Sequence, residues 1–264
     1  MEPVLVSLDA ALLPGVLRVT LNRPEKLNAF NPAVHAGLAA AMGRAESDPA
    51  VRCVLVTGAG RGFCAGADLT QRDMKSAAPI DLGESLESSY NPLVKRMRAL
   101  PKPIVCAVNG VAAGAGANFA LACDIVFAAR SASFIQAFVK IGLVPDCGGT
   151  YFLPRLAGAQ RAMALAMTGE RLSAEDAERF GVIWKCVDDA QLAQESERFA
   201  SALASGPTRS LGLIKKAMYA SSGNSLETQL DLERDLQREV GKGADYREGV
   251  TAFLEKRKPN FRGS

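Results

Sequence analysis

Two short runs of very small residues constrain this chain more than anything else in it. The first, GAGRGFCAGADL, covers residues 58–69; the second, NGVAAGAGANFALACDI, covers 109–125. Each follows an apolar stretch that reads as a strand, 51–57 and 104–108. Glycine and alanine let one backbone approach another, or a ligand, closely. Backbone N–H groups at such turns stabilise an oxygen that gains negative charge. Either run alone also has a purely structural reading as close packing, but their recurrence after two strands favours a shared site. A dinucleotide fingerprint does not fit, because the glycine spacing of GAGRG is wrong and Phe63-Cys64-Ala65-Gly66 follows at once. No GxxxxGK[ST] phosphate loop is present in the sequence.

The rest of the chain alternates strand and helix before turning helical. Residues 16–21 read as a strand closed by Asn22-Arg23-Pro24, and Pro32 stands near the start of a helix that runs to about 47. Residues 70–84 are mixed and polar, and read as a mobile loop beside a site or as a plain surface loop. A helical pattern over 86–100 is ended by Pro101 and Pro103. Further strands are expected at 124–128 and 182–187, with helices at 159–167 and, from a capping-box-like Ser173 and Asp176, at 173–180. Beyond 190 nearly everything is helical in pattern and is divided by Gly206-Pro207. The expected fold class is α/β, with a core over 1–200 and a helical module over 201–264.

Composition removes several functions. The chain has 264 residues and a net charge of +3 from 31 basic and 28 acidic side chains, too even a balance for a nucleic-acid or anionic-membrane protein. Asn109, Gly114, Gly116, Asn118 and Asp124 interrupt the apolar stretch 104–127, so it reads as buried core rather than a membrane span. The start, MEPVLVSLDAALLPG, has no cationic lead segment and does not read as a secretory peptide, which favours the cytoplasm. The six cysteines are scattered without a CxxC pair, and His35 is the sole histidine. No zinc site is expected. His35 lies in an amphipathic pattern and reads as structural, which removes an ordinary Ser-His-Asp mechanism.

A third segment, KIGLVPDCGGTYFLPRL at 140–156, places Asp146 between a proline and a Cys-Gly-Gly turn among apolar neighbours. A carboxylate in a partly desolvated pocket exchanges protons efficiently, so Asp146 is a candidate base. It reads nearly as well as a helix cap before the Gly-Gly turn and a possible helix start.

Together with Leu21-Asn22-Arg23-Pro24-Glu25-Lys26-Leu27-Asn28-Ala29 and Phe63-Cys64-Ala65-Gly66-Ala67-Asp68-Leu69, these segments resemble the enoyl-CoA hydratase/isomerase, or crotonase, family over essentially the whole chain. The resemblance implies a spiral of ββα units with a helical C-terminal module, assembled as trimers or dimers of trimers. It implies an acyl-coenzyme A thioester as substrate, with no permanently bound cofactor. It assigns the thioester oxygen to the backbone N–H groups of Ala65 and Ala115, with Gly116 as the neighbour one register away. Lys26, Ala67, Asp68 and Leu69 would lie near the nucleotide end of coenzyme A, and Phe253 and Lys256 would reach a ligand from the C-terminal module.

Departures from the family pattern bear on the reaction. Hydratases of this family place two glutamates around one water; the matching positions here are Asn118 and Phe138, neither able to act as a base. Asp146 matches an aspartate of family members that shift double bonds. Asn118 then orients substrate or water, or caps a helix, and Phe138 shapes an apolar acyl pocket or packs the core. Segments Gly114-Ala115-Gly116-Ala117, Gly142-Leu143-Val144-Pro145-Asp146 and Asp245-Tyr246-Arg247-Glu248-Gly249-Val250 resemble a subgroup that rearranges a ring epoxide on an aromatic acyl-CoA. Isomerisation is therefore expected. A hydratase with another proton donor, a dehalogenase and a non-catalytic acyl-CoA- or RNA-binding protein are the alternatives.

Overall fold

The computed structural model describes residues 2–9, 11–71 and 81–263. Among these residues ten strands fall into two sheets. The larger sheet has the order β1 (Val4–Leu8), β2 (Val16–Leu21), β3 (Cys53–Gly58), β5 (Ile104–Val108), β7 (Ile125–Ala129) and β10 (Lys185–Val187). The smaller has the order β4 (Gly62–Cys64), β6 (Val111–Ala113), β8 (Ser133–Ile135) and β9 (Arg171–Ser173). Only β1 in the large sheet and β9 in the small one pair antiparallel.

Successive strands alternate between the sheets: β3 to β4, β5 to β6, β7 to β8. Each pair is followed by helical structure, so the chain advances as a spiral of ββα turns. The helices are α1 (Pro32–Ser47), α2 (Leu82–Ser85), α3 (Asn91–Ala99), α4 (Ala115–Ala122), α5 (Gly149–Ala157), α6 (Ala159–Thr168), α7 (Ala174–Arg179), α8 (Leu192–Ala204), α9 (Thr208–Ser221), α10 (Leu226–Val240) and α11 (Ala244–Leu254). Every residue of β5 is buried, the mark of a parallel strand covered on both faces. Asn31 caps α1 by accepting from the Val34 N–H at 2.8 Å, with Pro32 inside the first turn. Ser173 caps α7 through the Asp176 N–H at 3.1 Å.

The differences from the sequence expectations are local. The strand expected at 182–187 shortens to β10 because the chain bends at 182–184, where the Trp184 N–H donates to Val126 O at 2.9 Å. The helical pattern read over 86–100 is helical from 86 to 99, beginning as a π turn at Leu86–Tyr90 that runs on from α2 into α3. Phe134 lies in β8, and Phe138 in a 3-10 turn, Ala137–Ile141. Most of the loop read at 70–84 lies outside the described residues. Among the described residues no helix is long and apolar enough to cross a membrane.

Candidate active site

The first small-residue run is shaped by a turn far away in sequence. Leu27 and Asn28 both have left-handed backbones, with φ of 47° and 58°. Asn28 stabilises this turn with its side chain, which accepts from the Arg23 N–H at 2.8 Å and donates to Ala59 O at 2.9 Å and Gly62 O at 2.8 Å. The turn presents Leu27 O to the Ala65 N–H, which donates to it at 2.9 Å. Ala65 is thus corrected as an oxygen-binding donor, since its N–H is already used. Two residues on, Phe30 N–H donates to Gly66 O at 2.7 Å and Asp68 N–H to Phe30 O at 2.8 Å. In this parallel bridge the N–H of Ala67 points to the opposite side. Among the described residues it has no partner.

The second run enters α4 through Gly114, whose N–H donates to Ile135 O at 2.8 Å. Ala115 opens the helix, where N–H groups lack intrahelical acceptors and the dipole favours negative charge. The two runs meet at Gly66. A Cβ on that glycine would stand 2.9 Å from Ala113 O and 3.5 Å from the Ala115 nitrogen. The unused donors of Ala67 and Ala115 therefore belong to segments in van der Waals contact, an arrangement able to receive one oxygen with developing charge. Gly116, the alternative by register, packs instead against β4: a Cβ there would fall 2.3 Å from Cys64 O. The Phe138 ring approaches Gly114, reaching within 3.7 Å of where that residue's Cβ would be.

Asp146 sits ahead of α5, with one carboxyl oxygen shielded from solvent. The residues after it, Cys147 and Gly148, are both left-handed, with φ of 50° and 81°. This turn folds the chain back so that Gly149 N–H donates to Asp146 O at 2.8 Å. Asp146 is therefore not a side-chain cap of α5; the helix begins without one. Burial, then the neighbouring Asp146 carboxyl, push the Cys147 thiol far up, so it stays protonated beside that group. Asn118 also corrects its expected role. It is fully buried, and its Nδ2 donates to Asp146 O at 2.8 Å while its Oδ1 accepts from Gln136 Nε2 at 2.8 Å. With each amide atom bonded within the protein and no exposed surface, the side chain faces protein rather than solvent. Gln136 went unnoticed in the sequence, where nothing sets it apart from an ordinary polar residue.

The remaining expected residues are dispersed. Lys26 is exposed at the end of a 3-10 turn, Pro24–Lys26, and Leu69 is exposed two residues after Ala67. The Asp68 carboxylate turns inward, accepting from Thr70 Oγ1 at 2.6 Å and from Arg23 Nη2 at 2.8 Å, and these partners hold it below the usual carboxylate range. Its side chain pins the Leu27–Asn28 turn and offers little to a ligand. Phe253 is 82% exposed and lines a cavity of about 800 Å³ among α9, α10 and α11; neither Asp146 nor Ala115 lines it. Lys256 follows at an exposed left-handed position. Within one chain neither is brought to the Asp146 turn. Behind the first run, Phe30 stacks on His35 at 5.3 Å and meets Phe119 edge-on at 5.6 Å, and Tyr90 closes on His35 at 4.2 Å. Burial lowers the His35 pKa.

Paired backbone donors on two small-residue turns, an acid beside the start of α4 and a ββα spiral together define a class. Residues 13–264 match the enoyl-CoA hydratase/isomerase family, and the chain belongs to it. The 1,2-epoxyphenylacetyl-CoA isomerase of Escherichia coli strain K12 is 59% identical over 250 residues, covering 94% of this chain and 95% of that protein. A probable enoyl-CoA hydratase of Rhodobacter capsulatus is 47% identical, covering 94% of this chain and 95% of its own length. The crystal structure of an enoyl-CoA hydratase from Bacillus anthracis matches with a TM-score of 0.92 at 32% identity, each chain covered completely at 100%.

Proposed function

We propose that this chain isomerises acyl-coenzyme A thioesters, converting ring 1,2-epoxyphenylacetyl-CoA to the oxepin and moving a 3,4 double bond to the 2,3 position. The observation that carries the choice of reaction is Asp146. Its backbone carbonyl is bonded to Asn118 of α4 and one oxygen of its carboxyl is buried, while the residues at the two hydratase positions are a buried amide, Asn118, and a phenyl ring, Phe138. The 59% identity with the E. coli isomerase supports the choice of acyl group.

In the double-bond shift, Asp146 removes a proton from C2 of the thioester. The electron pair moves to the carbonyl oxygen, held between the N–H groups of Ala67 and Ala115. The enolate then collapses, the double bond forms between C2 and C3, and Asp146 returns the proton at C4. Losing one such oxygen donor costs other enzymes about 3 kcal/mol of transition-state stabilisation. No group besides the carboxyl need change protonation, which suits a site where the adjacent Cys147 thiol is held protonated. Coenzyme A enters as part of the substrate. Lys26, Leu69 and the backbone around Ala67 suit its nucleotide end by their exposure.

The C-terminal module, 201–264, serves self-association in this reading. Phe253, Leu254, Tyr246, Leu226 and Met218 are exposed apolar side chains on three neighbouring helices, a surface that single soluble chains rarely carry. A trimer, or a dimer of trimers, would cover them and bring Phe253 and Lys256 towards a neighbour's ligand. Six free cysteines, five of them buried, fit the reducing cytoplasm.

The test is turnover of the ring epoxide thioester followed by NMR and mass spectrometry. An oxepin product of unchanged mass supports the reading. A product heavier by one water moves the assignment to hydration.

A further inference from the structure

We propose that Gln136 and Asn118 form a buried, directional amide relay that positions Asp146 for proton transfer, which makes both of them positioning residues. This rests on Asp146 being the proton-transfer group. The direction of the relay is forced. Asp146 O only accepts, so Asn118 must present Nδ2 to it, at 2.8 Å. Asn118 Oδ1 then faces Gln136, which must donate through Nε2, also at 2.8 Å. Reversing Asn118 puts acceptor against acceptor at Asp146 and donor against donor at Gln136, and reversing Gln136 puts acceptor against acceptor at Asn118 Oδ1.

Burial gives the relay its leverage. Asn118 is 0% and Gln136 4% exposed, so water does not substitute for either partner. Gln136 Oε1 has no hydrogen-bond partner among the described residues. An apolar side chain would fill that position without leaving a buried acceptor unmatched. The amide is accounted for by its N–H, and its N–H goes to Asn118.

The backbone supports the same conclusion. Asp146 stands between Pro145 and the left-handed pair Cys147-Gly148, an irregular turn. Its carbonyl is held by Gly149 N–H and by Asn118, and a Cβ at residue 149 would lie 2.2 Å from Asn118 Nδ2. Only glycine there lets the amide reach the carbonyl. Asn118 lies in α4 one turn beyond Ala115, and Gln136 stands immediately before the turn carrying Phe138. The relay thus ties the backbone that carries the Asp146 carboxyl, the helix start at Ala115 and the turn carrying Phe138 into one frame.

The experiment measures kcat and KM for a 3,4-unsaturated acyl-CoA with Gln136→Met and Gln136→Glu, each from pH 5 to 9, beside Asp146→Asn. Gln136→Met keeps the volume and removes the donor. It should lower kcat by ~10²-fold, the scale of a misplacement of about 1 Å, with KM little changed. Gln136→Glu should be rescued by acid. A buried protonated carboxyl donates to Asn118 Oδ1 as the amide does, so the ratio of variant to native kcat rises as pH falls. A purely structural Gln136 would give a ratio flat with pH. Native kcat in Gln136→Met, or a flat ratio in Gln136→Glu, overturns the relay, and the second result decides even where Gln136→Met does not fold. Full activity in Asp146→Asn is a separate outcome: it removes the assignment of the base, whatever the Gln136 variants do.

Discussion

The proposed oxygen donors are backbone groups, so no side-chain deletion removes them; they must be displaced. Gly66→Ala does this. Gly66 has a φ of 92°, and the new methyl would stand 2.9 Å from Ala113 O and 3.5 Å from the Ala115 nitrogen. The left-handed backbone costs an L-residue roughly 1–2 kcal/mol. The overlap adds about 1–3 kcal/mol as the second run moves away. Together these predict a loss of about 2–5 kcal/mol, or roughly 5–15 °C in Tm for a chain of this size. Pushing Ala113 and Ala115 away from Ala67 spoils one of the two donors, which predicts a fall of ~10²–10³-fold in kcat. A control separates strain from site. Gly181 has a φ of 76°, with Leu156 O at 3.6 Å as the nearest atom to an added methyl. Gly181→Ala should cost only the roughly 1–2 kcal/mol of backbone strain and leave kcat native. Calorimetry and steady-state kinetics on both variants suffice. Equal kcat in the two would refute the placement of the donors.

Three further outcomes follow from the structure. Lys215 joins α9 to the core, with Nζ 2.9 Å from Asp124 Oδ2 and 2.8 Å from Met97 O, and Tyr219 OH also bonds to Asp124. Lys215→Met should lose about 1.5–3 kcal/mol in urea unfolding, because it removes the counter-charge of the half-buried Asp124 carboxylate and leaves only the Ile104 N–H and Tyr219 OH to hold it. His35 has a folded pKa below its unfolded value of 6.5, because burial disfavours the imidazolium. The unfolded state therefore takes up the proton first, and stability should fall as pH drops from about 6.5 through the lower folded value. A His35→Gln variant should lack this component of the pH dependence of the urea midpoint. Phe253→Asp with Leu254→Asp should shift the sedimentation coefficient towards a monomer, while an unchanged assembly would place the interface elsewhere.

Much of the fold is legible in the sequence where the signal is local. Pro32 marks the start of α1, Ser173 that of α7, and Gly206-Pro207 the break after α8. The small-residue runs after β3 and β5 are visible because glycine and alanine carry the requirement themselves. What the sequence obscures depends on distant partners. Ala65 and Ala67 lie in one motif, and which N–H stays unused is decided by the left-handed turn at Leu27–Asn28, brought alongside by the fold. Asn118 looks like a group facing a pocket until the Asp146 carbonyl is seen to claim it. Gln136 carries no motif at all, because its role comes from a hydrogen bond to a residue 18 positions earlier in the sequence. Phe253 and Lys256 stand exposed, and a second copy of the chain would be needed to bring them to a site.

The most direct test of isomerisation through Asp146 is turnover of a 3,4-unsaturated acyl-CoA in heavy water, followed by NMR and mass spectrometry for the native protein and Asp146→Asn. The native protein should give a 2,3-unsaturated thioester with no added water and with deuterium at C4 to the extent that Asp146 exchanges with solvent; Asp146→Asn should be folded and inactive. A hydroxyacyl product, or undiminished turnover by Asp146→Asn, would contradict it.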